Sequence, residues 1–133
     1  MAFTRKRKLF LFYFVLLWLS LFLIASSSSA IAKFQVYFSL YDDPEAVIIQ
    51  YLKKAEQSIH IAMYYFTDSE LSREVVAAKN RGVEVRIYLD SSQINAQYSK
   101  SRFFANEGIE NIRISSNSYL MHNKFAIIDN SIV

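Results

Sequence analysis

The chain has 133 residues, enough for one small domain, and carries 15 Lys and Arg against 12 Asp and Glu with no cysteine. The missing thiol excludes disulfide stapling and cysteine nucleophiles within these residues. The formal charge of +3 sits at one end: without Arg5, Lys6, Arg7 and Lys8 there remain 11 basic against 12 acidic residues, net −1, so the rest of the chain has no overall basic footprint for nucleic acid.

The basic start is followed by an almost unbroken apolar run over residues 9–25, a serine stretch over 26–29 and Ala30-Ile31-Ala32. That order predicts a secretory signal peptide over residues 1–32. The 17-residue run is long for a signal and short of a comfortable span, so an uncleaved N-terminal membrane anchor is the alternative. In both readings a domain over residues 33–133 is expected outside the cytoplasm, either secreted or periplasmic, or tethered to the membrane.

Residues 34–40 predict a first strand, with Phe34, Val36 and Phe38 on one face. Asp43 and Pro44 then open a helix as N-cap and first helical residue, running to Lys54 or Ala55. Residues 58–66 predict a second strand. Thr67 and Glu70 have capping-box spacing for a second helix that runs to Arg81 and stops at Gly82. Residues 83–89 predict a third strand, Asp90-Ser91-Ser92 a turn, and a further helix starts at Ala96 or Ser99 and ends at Asn106. After Gly108, residues 109–114 predict a short strand, and residues 115–119 a polar loop. Strands alternating with helices imply the α/β class: a mostly parallel or mixed β-sheet flanked by helices. Such sheets gather their sites at one strand edge, which makes Asp90 a weak secondary candidate, although a helix-cap or turn role accounts for it better. His60, among Ile59, Ile61 and Met63, reads as a packed, hydrogen-bonded or surface histidine. Tyr64-Tyr65-Phe66 suits either a substrate groove or core packing.

The loop leads to His122-Asn123-Lys124-Phe125-Ala126-Ile127-Ile128-Asp129, a His-x-Lys-x-x-x-x-Asp spacing. Average residue usage produces it by accident in about one chain in a hundred of this length, so it outranks every other feature as a site. Residues 124–128 predict a short buried strand, and side-chain alternation puts His122 and Lys124 on one face. A neutral imidazole can attack or act as a base near pH 7, and an ammonium beside it can hold a phosphate oxygen. Asp129 falls at the strand end, in a turn with Asn130 and Ser131, in a supporting position. His122 and Asp129 are also possible metal ligands, but Lys124 on the same face repels a cation and zinc-type ligand spacing is absent, so no metal and no cofactor is expected.

This motif resembles the HKD signature of the phospholipase D superfamily. Val36-Tyr37-Phe38-Ser39, Ala62-Met63-Tyr64-Tyr65-Phe66-Thr67 and Arg81-Gly82-Val83-Glu84-Val85-Arg86 extend the resemblance to its small single-motif branch, over about residues 34–133. That branch holds exported bacterial endonucleases and mitochondrial members acting on cardiolipin or nucleic acid. The resemblance implies a phospholipase D/nuclease-like fold and metal-free phosphodiester hydrolysis. His122 would form a phosphohistidine, Lys124 would bind the non-bridging oxygens and Asp129 would orient the motif. A second histidine would serve the leaving oxygen. Two motifs make one such site and this chain has one, so the resemblance implies a homodimer with the two His122 residues facing across the axis. The substrate would be nucleic acid, with phospholipid head groups at a membrane as the alternative. The family pattern continues past the motif aspartate with a Gly-Ser pair and an Asn. Here Asp129 is followed by Asn130-Ser131-Ile132-Val133, so the C-terminal part of the domain is expected to be missing, and an inactive remnant is a further alternative.

Overall fold

The computed structural model describes residues 10, 12–15, 17, 18, 33–116 and 119–133. These fall into two compact units, Met1–Val36 and Tyr37–Val133. Most of the expected leader lies outside the described residues. Those described within it, 10, 12–15, 17 and 18, are helical, and among the described residues no helix is long and apolar enough to cross a membrane.

In the second unit, α1 (Pro44–Lys54) starts as its sequence dictates: the Asp43 carboxylate accepts from Ala46 N–H at 3.0 Å and Pro44 takes the position that needs no donor. It leads into β1 (Ser58–Met63), α2 (Ser69–Asn80) and β2 (Glu84–Leu89), then α3 (Ser101–Asn106), β3 (Asn111–Ile114) and β4 (Lys124–Ile128). The sheet order is β3-β2-β1-β4. β1, β2 and β3 run parallel, and β4 runs antiparallel beside β1 with Met63 opposite Lys124 and Ile59 opposite Ile128. The sheet is therefore mixed.

Alternation along the strands sends Ile59, Ile61, Val85, Ile87, Leu89 and Ile128 to one face, where they meet Leu52 of α1, Val75, Val76 and Ala78 of α2, and Phe104 of α3. Phe104 is fully buried, and its ring meets Phe66 edge-on at 5.1 Å. Gly82, with φ at 96°, turns the chain out of α2 while Val83 N–H returns to the Ala78 carbonyl.

Several boundaries depart from expectation for local reasons. No strand forms over residues 34–40. Phe38 and Asp42 close a turn instead: Phe38 N–H donates to Asp42 Oδ2 at 2.7 Å, and Asp42 N–H to the Phe38 carbonyl at 2.7 Å. The amide and carbonyl of Phe38 are thereby unavailable to a ladder. The cap of α2 is Asp68, which accepts from Leu71 N–H at 2.7 Å, not Thr67; a charged acceptor makes the stronger bond. α3 begins only at Ser101, because successive turns from Asp90 to Ser99 take the preceding donors. β3 begins at Asn111, since Ile109 N–H is used to close α3 on the Phe104 carbonyl. β4 is not a buried strand: only Ile128 is buried, and as a sheet edge it leaves Phe125 42% exposed.

Candidate active site

The motif is held at the edge of the sheet by backbone bonds. Tyr64 N–H donates to the Asn123 carbonyl at 2.8 Å, extending the β1–β4 pairing by one step beyond Met63 and Lys124. Asn123 is thereby committed through its main chain, while its neighbours on either side turn to the opposite face. His122 and Lys124 meet there: Lys124 Nζ lies 2.8 Å from His122 Nε2 and 3.2 Å from the His122 carbonyl oxygen. An ammonium has only donors to offer. Nε2 must therefore present its lone pair to Lys124, and the proton of the neutral ring belongs on Nδ1. Both side chains are exposed, so the lone pair is reachable from solvent once the ammonium moves aside.

Tyr64 forms the floor. Its ring packs edge-on against the His122 imidazole, centroids 4.9 Å apart, and the Lys124 ammonium lies 5.4 Å from the same ring centre. The Tyr64 hydroxyl is itself pinned, accepting from Gln93 Nε2 at 2.9 Å. The next residue, Tyr65, accepts through its hydroxyl from Tyr98 N–H at 3.2 Å, which ties the exposed Tyr98 to the vicinity.

Asp129 is elsewhere. It stands at the far end of β4 from Lys124, five residues on, about 16 Å along an extended strand. Its carboxylate receives three consecutive backbone N–H groups: Glu56 at 3.1 Å, Gln57 at 2.8 Å and Ser58 at 2.9 Å. Those donors, Ser58 first, then Gln57 and Glu56, hold its carboxyl below the ordinary aspartate value. The left-handed backbone at Asp129 and Asn130, φ 51° and 53°, turns the side chain back onto the loop before β1. The structure thus brings His122 and Lys124 together and gives Asp129 the task of locking β4 against β1.

His60 does not join the site. It pairs with Ile127, on the sheet face opposite to the one Lys124 shares with Met63, and its Nε2 lies 4.0 Å from Glu84. One chain therefore assembles a single imidazole with its lysine. Asp90 is a participant where the sequence made it a secondary candidate: it is 2% exposed and accepts Met121 N–H, one peptide before His122, at 2.8 Å. Gln93 escaped the sequence reading, since nothing in its surroundings marks it and its bond to Tyr64 spans 29 residues. Among the described residues no three His, Asp or Glu are gathered as a metal cage would require.

The family model described as cardiolipin synthase, PLD-like domain, matches residues 48–133. A phospholipase D of Rickettsia prowazekii is 37% identical over 82 residues, covering 62% of this chain and 40% of the relative. A mitochondrial cardiolipin hydrolase of Drosophila melanogaster is 36% identical over 84 residues, covering 63% of this chain and 33% of the relative. The chain thus spans two fifths or less of the curated relatives it matches. Among solved structures, Nuc of Salmonella typhimurium, a phospholipase D family member, superposes with a TM-score of 0.59 at 33% identity, over 65% of this chain and 57% of that one.

Proposed function

Since this chain belongs to the phospholipase D superfamily, we propose that it hydrolyses phosphodiester bonds with His122 as the nucleophile, and without a metal. The observation that carries the reading is the 2.8 Å contact between Lys124 Nζ and His122 Nε2 on an exposed edge. A phosphodiester arriving there offers anionic oxygens, which take the ammonium in preference to a neutral nitrogen. Lys124 then moves from the imidazole to the phosphate, and that one shift both binds the substrate and frees the lone pair. Nε2 attacks phosphorus, the P–N bond forms and the P–O bond to the leaving group breaks. A second imidazole gives the leaving oxygen its proton. That imidazole then takes a proton from water, the water oxygen attacks phosphorus, and the P–N bond breaks. Lys124 stabilises the oxygens in both steps. Because one chain assembles one imidazole, the second comes from the His122 of another copy, in a two-fold dimer.

Nucleic acid is the favoured substrate. Tyr98 and Tyr119 are 66% and 87% exposed, one tied to Tyr65 beside the floor of the site and the other three residues before His122. Exposed aromatic rings give bases a stacking surface. A second reading, phospholipid hydrolysis at a membrane surface, is favoured by Leu120, 65% exposed two residues before His122, and by the names of the Rickettsia and Drosophila relatives. We infer from the basic, apolar and serine order of residues 1–32 that the chain works outside the cytoplasm, either free or tethered.

Incubation of the chain with DNA, RNA and phospholipid vesicles in excess chelator tests these points together. Nucleic-acid cleavage that survives chelation is expected, with an acid-labile phosphoryl adduct at His122. An adduct at another residue, or loss of all turnover with chelator, would refute the mechanism. Head-group release from vesicles with nucleic acid left intact would transfer the reading to lipid.

A further inference from the structure

β3 and β4 lie at opposite edges of the sheet, so the segment between them crosses the C-terminal ends of β2 and β1 before delivering His122. Asp90 follows the last residue of β2, under that crossing, and is 2% exposed. Its Oδ1 accepts from Ser92 N–H at 2.9 Å and from the Ser92 hydroxyl. Its Oδ2 accepts from Met121 N–H at 2.8 Å and from Ser115 Oγ at 3.4 Å. Ser115, itself 3% exposed, begins the crossing and Met121 ends it. Both ends are thus gathered on one carboxylate oxygen.

We propose that Asp90 is a positioning residue for the candidate active site: by holding Met121 N–H it sets the backbone one peptide before His122, and so the angle at which the imidazole meets Lys124 and Tyr64. The kinetic consequence rests on the phosphodiesterase reading; the structural one does not. A turn-forming role accounts only for Oδ1, which closes the Asp90–Ser92 turn that an asparagine makes equally well. The bond from Oδ2 to a backbone amide 31 residues away is outside that role. The Ser92 hydroxyl first, then Met121 N–H, hold the Asp90 carboxyl below its ordinary value, so both oxygens are acceptors at neutral pH.

The test is Asp90→Asn in the full chain. The amide oxygen keeps the turn to Ser92, while its NH2 faces Met121 N–H and cannot accept from it. We expect kcat on bis-p-nitrophenyl phosphate to fall about a hundredfold, as for a misplaced reacting group, with KM within about twofold; the melting temperature drops because Met121 N–H loses its acceptor, while the chain stays fully folded at the assay temperature. We also expect the Met121 amide resonance to move and its exchange to accelerate, with the His122 ring signals shifting. Unchanged kcat, or a loss shared equally between kcat and the folded fraction, would overturn the proposal. If the wild-type chain hydrolyses no phosphodiester, the phosphodiesterase reading fails and the His122 ring signals alone decide. A shift in Asp90→Asn upholds positioning, and identical signals in both proteins overturn it.

Discussion

His122 and Lys124 act on each other before any substrate arrives, and that sets what single substitutions do. His122→Ala removes the only imidazole placed at the site. Turnover should fall by at least about a thousandfold, the scale seen when a nucleophile is deleted, with the melting temperature kept because the side chain is exposed. Tyr64 separates ring from hydroxyl. Tyr64→Phe keeps both ring contacts and leaves Gln93 Nε2 its other acceptor, Ser92 Oγ at 3.1 Å, so activity should stay close to wild type. Tyr64→Ala removes the surface under the imidazole and the ammonium. An exposed cation–π contact contributes about 0.5–1 kcal/mol, so a loss of roughly two- to fivefold in kcat/KM is expected from that contact alone. Steady-state kinetics on the pair checks both, and a Tyr64→Phe variant as impaired as Tyr64→Ala would locate the effect in the hydroxyl instead.

Among the elements, α2 and β4 depend on single carboxylates. Asp68 satisfies the first turn of α2, so Asp68→Ala should cost about 1 kcal/mol in urea unfolding, whereas Thr67→Ala, at an exposed position outside the cap bond, should stay within about 0.5 kcal/mol. Equal losses would return the cap to Thr67. Asp129 ties the end of β4 to the amides of residues 56–58, and its folded carboxyl lies below its unfolded value. A depressed folded value stabilises the protein above the unfolded carboxyl value of about 3.9, and the contribution disappears as pH falls through the folded value. Asp129→Asn should therefore melt well below wild type at pH 7, and the difference should narrow once pH falls below about 4. Melting temperature against pH for the two proteins measures it; a gap independent of pH would mean that the charge contributes nothing.

At the scale of the whole molecule, the question is whether one chain suffices. It assembles one imidazole, with His60 on the opposite face of the sheet, so a site needing two must be shared. Wild type and His122→Ala mixed in equal amounts and allowed to exchange should retain about a quarter of the activity if both imidazoles of a dimer are required, and about half if each chain works alone. Sedimentation of the same mixture measures whether a dimer forms, and a monomer would refute the shared site.

What was legible in the letters follows from periodicity and spacing, which are local. The alternation in β1 and β2, Asp43 before Pro44, Gly82 after α2 and the two-residue step from His122 to Lys124 each act within a few residues, and the structure returns them as read. The failures are just as local in origin: the Phe38–Asp42 turn and the capping of α2 by Asp68 turn on which of two nearby acceptors wins a donor, and spacing does not rank them. Tyr64 beneath His122, Gln93 on Tyr64, Asp90 under Met121 and Asp129 on residues 56–58 belong to another class. Each joins segments brought side by side only when β4 pairs with β1 across the sheet. A carboxylate or a ring finds such partners through the topology, so the linear order singled out the His122–Lys124 pair, while the fold alone chose the groups packed around it.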